Sequence, residues 1–253
     1  MSIHPQAKAG FARGAAAYER GRPTYPPAAV GWLAGRLGLG AGRVVLDLGA
    51  GTGKLTRQLV PFGARVIALE PVAEMAEQLE RAVPGVEVLA ATAASTSLSS
   101  GHVDAATAGQ AFHWFSDPDS LKEIHRVLRP RGWLGLIWNV RDVRSPLWRA
   151  INELVEPLRE GTPDHVDRAW RQRLEQSLLF SPLESRAFEH HQLGGPEQLV
   201  DRIFSLSYVA ALAAEAQERL GQQILRLADE YRGLPGQPLV LPYRCEVFAC
   251  RSC

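Results

Sequence analysis

The sequence is poor in cysteine, in net charge and in long apolar runs. Its three cysteines, Cys245, Cys250 and Cys253, lie together near the end of the chain. No second His/Cys cluster beside them would complete a zinc site, so we predict no metal and interpret them as free thiols in a reducing compartment. The formal net charge is +1, which gives no electrostatic reason to expect nucleic acid or an anionic membrane as a partner.

The absence of a membrane segment and of a leader restricts the expected location. No apolar run approaches the roughly 20 residues that a membrane span needs, and residues 1–14 lack the apolar core of a signal peptide. We therefore expect a cytoplasmic protein. The 253 residues are 46% hydrophobic and 22% charged, which is ordinary for a globular domain. With no internal repeat or low-complexity linker, the sequence predicts a single domain.

The most informative stretch is VVLDLGAGTGKL, residues 44–55. Its first three residues form an apolar run of the kind that a strand buried on both faces requires. Gly49, Gly51 and Gly53 follow before a helical pattern begins. This strand, glycine turn and helix would place backbone N–H groups and the positive end of a helix dipole beside a ligand.

Spacing separates three kinds of nucleotide site at this turn. A dinucleotide fingerprint needs a glycine where Lys54 stands, and a P-loop needs a glycine at Leu48 and a Ser or Thr at Leu55. The pattern that remains, D-x-G-x-G-x-G from Asp47 to Gly53, resembles motif I of the class I S-adenosylmethionine-dependent methyltransferases. The alternative is a glycine-rich turn without a ligand, which is disfavoured because glycine loses conformational entropy on folding.

An acidic residue follows about twenty residues after the turn. Glu70 ends the predicted second strand, ARVIALEP, where a carboxylate can accept hydrogen bonds from both hydroxyls of a ribose. The resemblance makes the same assignment, and it places an adenine contact after the third strand, at Thr92 and Ala93; an Asp is common where Thr92 stands. The cofactor-binding residues that we predict for S-adenosylmethionine are Tyr18, Asp47, Gly49, Ala50, Gly51, Thr52, Gly53, Glu70, Pro71, Met75, Thr92, Ala93 and Gln110.

An aromatic turn follows the predicted fourth strand. Residues 110–115, QAFHWF, lie at the carboxyl end of the strand expected beside strand one, the rim where open α/β sheets bind ligands. They resemble a motif in a subgroup of the type 11 methyltransferase family that is also similar to the trans-aconitate methyltransferases. We predict His113 as the catalytic residue, which either accepts a substrate proton or orients the substrate. The alternative is a packing histidine bonded to backbone.

The residues before the first strand and after the fifth supply candidate substrate contacts. Tyr18 and Tyr25 lie on a Pro-rich arm, residues 1–27, which either closes over the ligands or is simply pinned to the domain by its tyrosines. Arg22, Arg141 and Arg144 are candidates for binding a carboxylate. The predicted substrate-binding residues are Arg22, Tyr25, Trp114, Trp138 and Arg141.

Alternating strand and helix patterns predict a doubly wound α/β fold with helices on both faces of the sheet. Residues 129–132 are predicted as a turn before the fifth strand, and residues 196–232 as two helices. We divide the domain into the arm, a cofactor-binding core (28–142), a helical cap over the substrate side (145–180) and the remainder (181–253). The resemblance implies a seven-stranded, mostly parallel, Rossmann-like sheet whose seventh strand is antiparallel.

The predicted function is methyl transfer from S-adenosylmethionine to a small molecule by direct displacement, with the oxygen of a carboxylate or hydroxyl as the candidate acceptor atom. An inactive cofactor-binding protein that acts through its cap is the alternative. A nicotinamide-dependent dehydrogenase is disfavoured by the missing third glycine. The oligomeric state stays open.

Overall fold

The computed structural model describes residues 14–159, 161–234 and 236–253. The strands are β1 (Val44–Leu48), β2 (Arg65–Leu69), β3 (Glu87–Leu89), β4 (Val103–Gly109), β5 (Leu128–Arg141), β6 (Glu184–Gly194) and β7 (Leu239–Arg251). The helices are α1 (14–21), α2 (Pro27–Leu37), α3 (Thr56–Leu59), α4 (Ala73–Ala82), α5 (Pro118–Val127), α6 (Pro146–Val155), α7 (Ala169–Gln176), α8 (Pro196–Phe204), α9 (Ser207–Ala210) and α10 (Ala214–Tyr231).

The seven strands form one sheet in the order β3-β2-β1-β4-β5-β7-β6. The contacts among β1 to β5 are parallel, and β7 runs antiparallel to both β5 and β6. The predicted seven-stranded, mostly parallel α/β sheet is therefore confirmed. The order also confirms that β4 lies beside β1, so the residues that follow these two strands share one rim of the sheet.

Both faces of the central strands are buried, which explains the continuous apolar run in β1. Leu46 belongs to a core cluster that includes Leu121 and Ile124 of α5. Its neighbour Val45 points to the other face and belongs to a cluster with Leu33 of α2. Because side chains alternate along a strand, a strand covered by helices on both sides needs apolar residues at successive positions.

Two segments differ from the expectation. Residues 129–132, predicted as a turn before the fifth strand, form a bulge within β5: Val103 pairs with Leu128, and Ala105 then pairs with Trp133. Arg131 adopts a left-handed φ of 61° there, so the chain leaves the ladder and returns to it. Residues 196–232, predicted as two helices, contain α8, α9 and α10, because the short α9 interrupts the pattern.

The helices of residues 145–180 pack in two directions. In α7, Trp170 contacts the ring of Phe112, which follows β4, at a centroid distance of 6.0 Å. Trp148 and Ile151 of α6 instead join a separate core cluster with residues of α8, α10 and β7. Among the described residues, no helix has the length and apolarity needed to cross a membrane.

Candidate cofactor and acceptor site

The three glycines of the turn after β1 differ in what surrounds them. All have a left-handed backbone, with φ of 60° at Gly49, 61° at Gly51 and 82° at Gly53. A Cβ on Gly49 would lie 2.9 Å from the Cβ of Ala111, and one on Gly53 would lie 3.1 Å from the Cγ of Leu79. A Cβ on Gly51 would meet no heavy atom within 4 Å in the described part of the chain. Gly49 and Gly53 thus serve packing, and Gly51 borders the space available to a ligand.

Glu70 ends β2 and points back at this turn. Its side chain is 6% exposed, and its two oxygens accept the backbone N–H groups of Gly51 at 2.8 Å and of Val72 at 2.9 Å. Burial raises the pKa of Glu70 to about 7, against the lowering effect of these hydrogen bonds. The carboxylate therefore fixes the shape of the glycine turn, and its remaining lone pairs are available to ribose hydroxyls.

Asp47, predicted to bind the cofactor, is fully buried beneath the turn. It accepts the hydroxyls of Thr56 at 2.7 Å and Thr107 at 3.0 Å, and burial raises its pKa to about 6. Since these partners lie on α3 and β4, the carboxylate links the elements that flank the turn. Asp47 therefore stabilises the glycine turn from beneath, through protein hydrogen bonds.

The arm lies against the glycine turn through a residue that the sequence reasoning missed. Glu19 of α1 accepts the Thr52 hydroxyl at 2.5 Å and the Arg57 guanidinium at 2.6 Å, and its carbonyl accepts the Lys54 ammonium at 2.7 Å. The signal for it was the pair of cations that follows the turn, which needs an anionic partner. Tyr18 packs against a buried cluster formed by Ala15, Val72 and Met75, so α1 covers the loop after β2.

The turn after β4 contains a residue with a strained backbone and a buried histidine. Gln110 has a left-handed φ of 61°, its N–H donates to the carbonyl of Ile137, and its side-chain amide donates to the carbonyl of Asn139. The indole N–H of Trp138 donates to His113 Nδ1 at 3.4 Å, which assigns the imidazole proton to Nε2. Burial is the main cause that lowers the pKa of His113 to about 3. His113 is therefore a neutral imidazole in this environment.

A second histidine, also missed from the sequence, lies beside this turn. The ring of His165 stacks on Trp138 at 5.9 Å and lies 6.4 Å from that of His113. Its Nδ1 is 2.8 Å from Asp164 Oδ1, so a carboxylate orients this imidazole. Trp138 itself has no exposed surface. The prediction that Trp138 contacts substrate is therefore not met in this conformation, because His165 and Trp170 cover it.

The three candidate arginines occupy different places. Arg22 donates to the Ser205 hydroxyl at 2.8 Å and lies 4.7 Å above the Tyr18 ring. Arg141 extends from the end of β5 and lies 5.8 Å from the ring of Trp148. Arg144 instead lies on the surface, paired with Asp142 and Glu189. Its guanidinium already has two acidic partners, so among the three arginines Arg144 is the one least available to a carboxylate.

The other predicted residues lie around the same rim or under it. Tyr25 is buried, and its hydroxyl lies so close to Gly109 that a Cβ there would be 2.6 Å away. Ala93 is a core residue, and Thr92 forms a bridge with Ser95. Of the last three predicted residues, Ala50 donates its N–H to Leu69, Trp114 donates its N–H to Ala111, and Pro71 directly follows Glu70.

The site fits an adenosyl cofactor, because Glu70, the turn with Gly51 and the segment after β4 follow three neighbouring strands, β2, β1 and β4. The position over Gly51 is open to a ligand. Such a glycine turn with an acid at the end of β2 defines a nucleoside-binding α/β protein. Among the described residues no group of His, Cys, Asp or Glu is arranged to bind a metal ion. Cys245 and Cys250 are buried free thiols whose pKa burial raises to about 12.

Comparisons with known proteins identify the family. The model of a methyltransferase domain family matches residues 46–136. An uncharacterized methyltransferase of Mycobacterium bovis is 37% identical over 92% of this chain and 91% of its own length. The chain therefore belongs to the class I S-adenosylmethionine-dependent methyltransferases.

Two solved structures share the fold of this chain. A structure from Anaeromyxobacter dehalogenans, described as a type II methyltransferase, has a TM-score of 0.67 and 25% identity over 91% of this chain and 97% of that one. A phosphoethanolamine N-methyltransferase of Haemonchus contortus, solved with phosphomonomethylethanolamine and S-adenosylhomocysteine, shares the fold. Its TM-score is 0.59 at 16% identity, over 100% of this chain and 60% of that one.

Proposed function

We propose that this methyltransferase transfers a methyl group to an oxygen of a small molecule by direct displacement, in the space between the glycine turn and the segment after β4. The observation that carries the proposal is the pairing of Asp164 with His165 beside His113, at the rim where Gly51 borders open space. A hydroxyl acceptor must lose a proton, and an oriented imidazole can take it.

S-adenosylmethionine, when bound, supplies an electrophilic methyl group on a sulfonium. Gly51 and Glu70 would bind its ribose side, with Tyr18 and α1 closing the loop after β2. No covalent relay through the protein is needed, so the catalytic contribution of the chain is to align the two reactants and exclude water.

The two histidines are assigned different roles. Because Asp164 accepts from Nδ1 of His165, the lone pair of His165 Nε2 is available for the proton of the acceptor hydroxyl. His113 has its Nδ1 occupied by Trp138 and its charged form disfavoured by burial, so its Nε2–H orients the acceptor as a donor. Of the two roles predicted for His113, orientation is thus the one that its surroundings favour.

The test combines binding with turnover. Titration calorimetry with S-adenosylhomocysteine and with NAD measures cofactor choice, and labelled S-adenosylmethionine measures methyl transfer to a panel of small hydroxy acids. We expect binding of S-adenosylhomocysteine but not NAD, with transfer to at least one hydroxyl compound. Binding without transfer to any compound on a broad panel would favour the inactive binding protein, and absence of S-adenosylhomocysteine binding would overturn the proposal.

A further inference from the structure

Arg202 is a buried cation with unsatisfied donors. It lies in the last turn of α8 and is 4% exposed. Its Nε and Nη1 atoms are buried and meet no hydrogen-bond acceptor among the described residues. Buried polar groups are nearly always hydrogen-bonded, and an uncompensated buried charge is strongly unfavourable. The missing interaction therefore indicates a ligand for this guanidinium.

Two more arginines converge on the same place from other elements. The Nη1 of Arg141, at the end of β5, is also buried without an acceptor in the described chain. Arg22, from the arm, bonds to Ser205, three residues beyond Arg202. Burial, and then the charge of Arg202, lower the pKa of Arg141 and bring that of Arg22 to about 10. The guanidinium of Arg202 is thus close enough to repel those of both Arg22 and Arg141.

The surroundings of these cations do not neutralise them. Tyr208 and Tyr243 face Arg141, and burial is the main cause that raises the pKa of Tyr208. The acid that faces Arg141 is Asp164, which is already bound to His165. A positively charged cluster with buried, unpaired N–H donors therefore lies near the histidines of the proposed methyl-transfer site.

We propose that Arg202 and Arg141, supported by Arg22, bind a carboxylate group of the methyl acceptor. This inference deepens the proposed function, and it rests on that function where it identifies the bound carboxylate as part of the methyl acceptor. Guanidinium groups match the planar geometry of a carboxylate and bind it with charge-assisted hydrogen bonds. A monoanion is favoured over a phosphate dianion because Arg202 lies at the C-terminal end of α8, where the helix dipole disfavours negative charge.

The same geometry defines what part of the acceptor reacts. A carboxylate bound by two guanidinium groups has much of its charge neutralised, so it is a weak nucleophile and acts as an anchor. Asp164 faces both Arg141 and His113, so the histidines lie beside the arginine cluster. The acceptor class is therefore a hydroxy acid, with its carboxylate on the arginines and its hydroxyl at His165.

The test uses matched ligands and matched variants. Benzoate and succinate, their neutral amides benzamide and succinamide, and inorganic phosphate are titrated into the protein with and without saturating S-adenosylhomocysteine. We expect the carboxylates to bind and the amides not to bind. Arg202→Gln and Arg141→Gln should weaken carboxylate binding about 10- to 100-fold and leave S-adenosylhomocysteine binding unchanged. Arg219→Gln, on the exposed side of α10, is the control and should bind like the wild type.

The outcomes are separable. Equal binding of carboxylates and amides, or wild-type affinity in Arg202→Gln, would overturn the inference; phosphate binding tighter than carboxylate would overturn the choice of anion. If the wild type does not bind S-adenosylhomocysteine, the proposed function is overturned. The titration of carboxylates and amides without cofactor still shows whether the arginines bind a carboxylate. As a check on folding, Arg202→Met should raise the melting temperature of the ligand-free protein, because it removes an uncompensated buried charge.

Discussion

The carboxylate of Glu70 accepts the backbone N–H of Gly51 at 2.8 Å, so the residue predicted to bind the ribose also stabilises the turn on which the cofactor would lie. A glutamate that served only the ribose would leave the ligand-free protein unaffected when removed. Here the ligand-free fold uses both of its oxygens.

Glu70→Ala should therefore affect both stability and binding. It leaves the N–H groups of Gly51 and Val72 without their acceptor, which lowers the free energy of unfolding by about 1 to 3 kcal/mol. S-adenosylhomocysteine should bind roughly one to two decades more weakly. Denaturant melts and calorimetry measure the two effects. Glu74→Ala, an exposed glutamate of α4, is the control, and an equal change in both variants would contradict the role of Glu70.

The stability of the ligand-free protein should fall with rising pH because of Glu70. Its pKa is raised from 4.5 to about 7, so the folded protein retains a proton that the unfolded chain has lost. The stabilisation is complete below pH 4.5 and is lost as the pH rises through 7. Melting temperatures of the wild type and of Glu70→Gln are measured at intervals from pH 4.5 to 8. The melting temperature should fall less steeply with pH in the variant than in the wild type. Asp47, with a pKa of about 6, accounts for the slope that remains. Identical slopes would contradict the raised pKa.

Gly51→Ala and Gly49→Ala should separate ligand contact from packing. A Cβ at Gly51 enters open space, so the variant should fold with a loss on the order of 1 to 2 kcal/mol for its left-handed φ, yet lose S-adenosylhomocysteine binding. A Cβ at Gly49 overlaps Ala111 and should destabilise the fold further. Wild-type affinity in a folded Gly51→Ala protein would place the cofactor elsewhere.

Asp164→Asn and His165→Ala should each lower turnover by about 10² with a hydroxy acid acceptor, because they remove the oriented proton acceptor. His113→Ala should act mainly on KM for the acceptor, since its imidazole is a neutral donor. Initial rates with labelled S-adenosylmethionine measure both parameters. The opposite division, with kcat lost at His113 and retained at His165, would return the role of base to His113.

Glu19→Ala should weaken S-adenosylhomocysteine binding, because Thr52 and Arg57 lose the partner through which the arm contacts the glycine turn. The control is Arg20→Ala, on the same helix as Glu19; it removes an exposed ion pair with Asp201 of α8 and should change stability by less than about 1 kcal/mol. Equal cofactor affinities in the two variants, measured by calorimetry, would show that α1 does not contribute through Glu19.

The parts predicted well from the sequence are those encoded locally. The turn after β1 and the acid after β2 follow directly from strand ends, so the places of Gly51 and Glu70 on the sheet could be predicted, while their contacts with the cofactor stay predictions. Glu19 and Arg202 were missed because their importance depends on packing between distant segments. The role of His113 was left open for the same reason: its protonation depends on Trp138 and His165, which the sequence does not place beside it.

The arm couples two halves of the site within four residues. Glu19 contacts the glycine turn, Arg20 pairs with Asp201, and Arg22 bonds to Ser205 beyond Arg202. A Cβ on Gly21 would overlap the backbone of Arg202, so α1 and α8 touch directly. A ligand that shifts α1 on one side changes the free energy of the other side, and this linkage is reciprocal. Cofactor and acceptor should therefore alter each other's affinity by the same factor, transmitted through a single turn of helix.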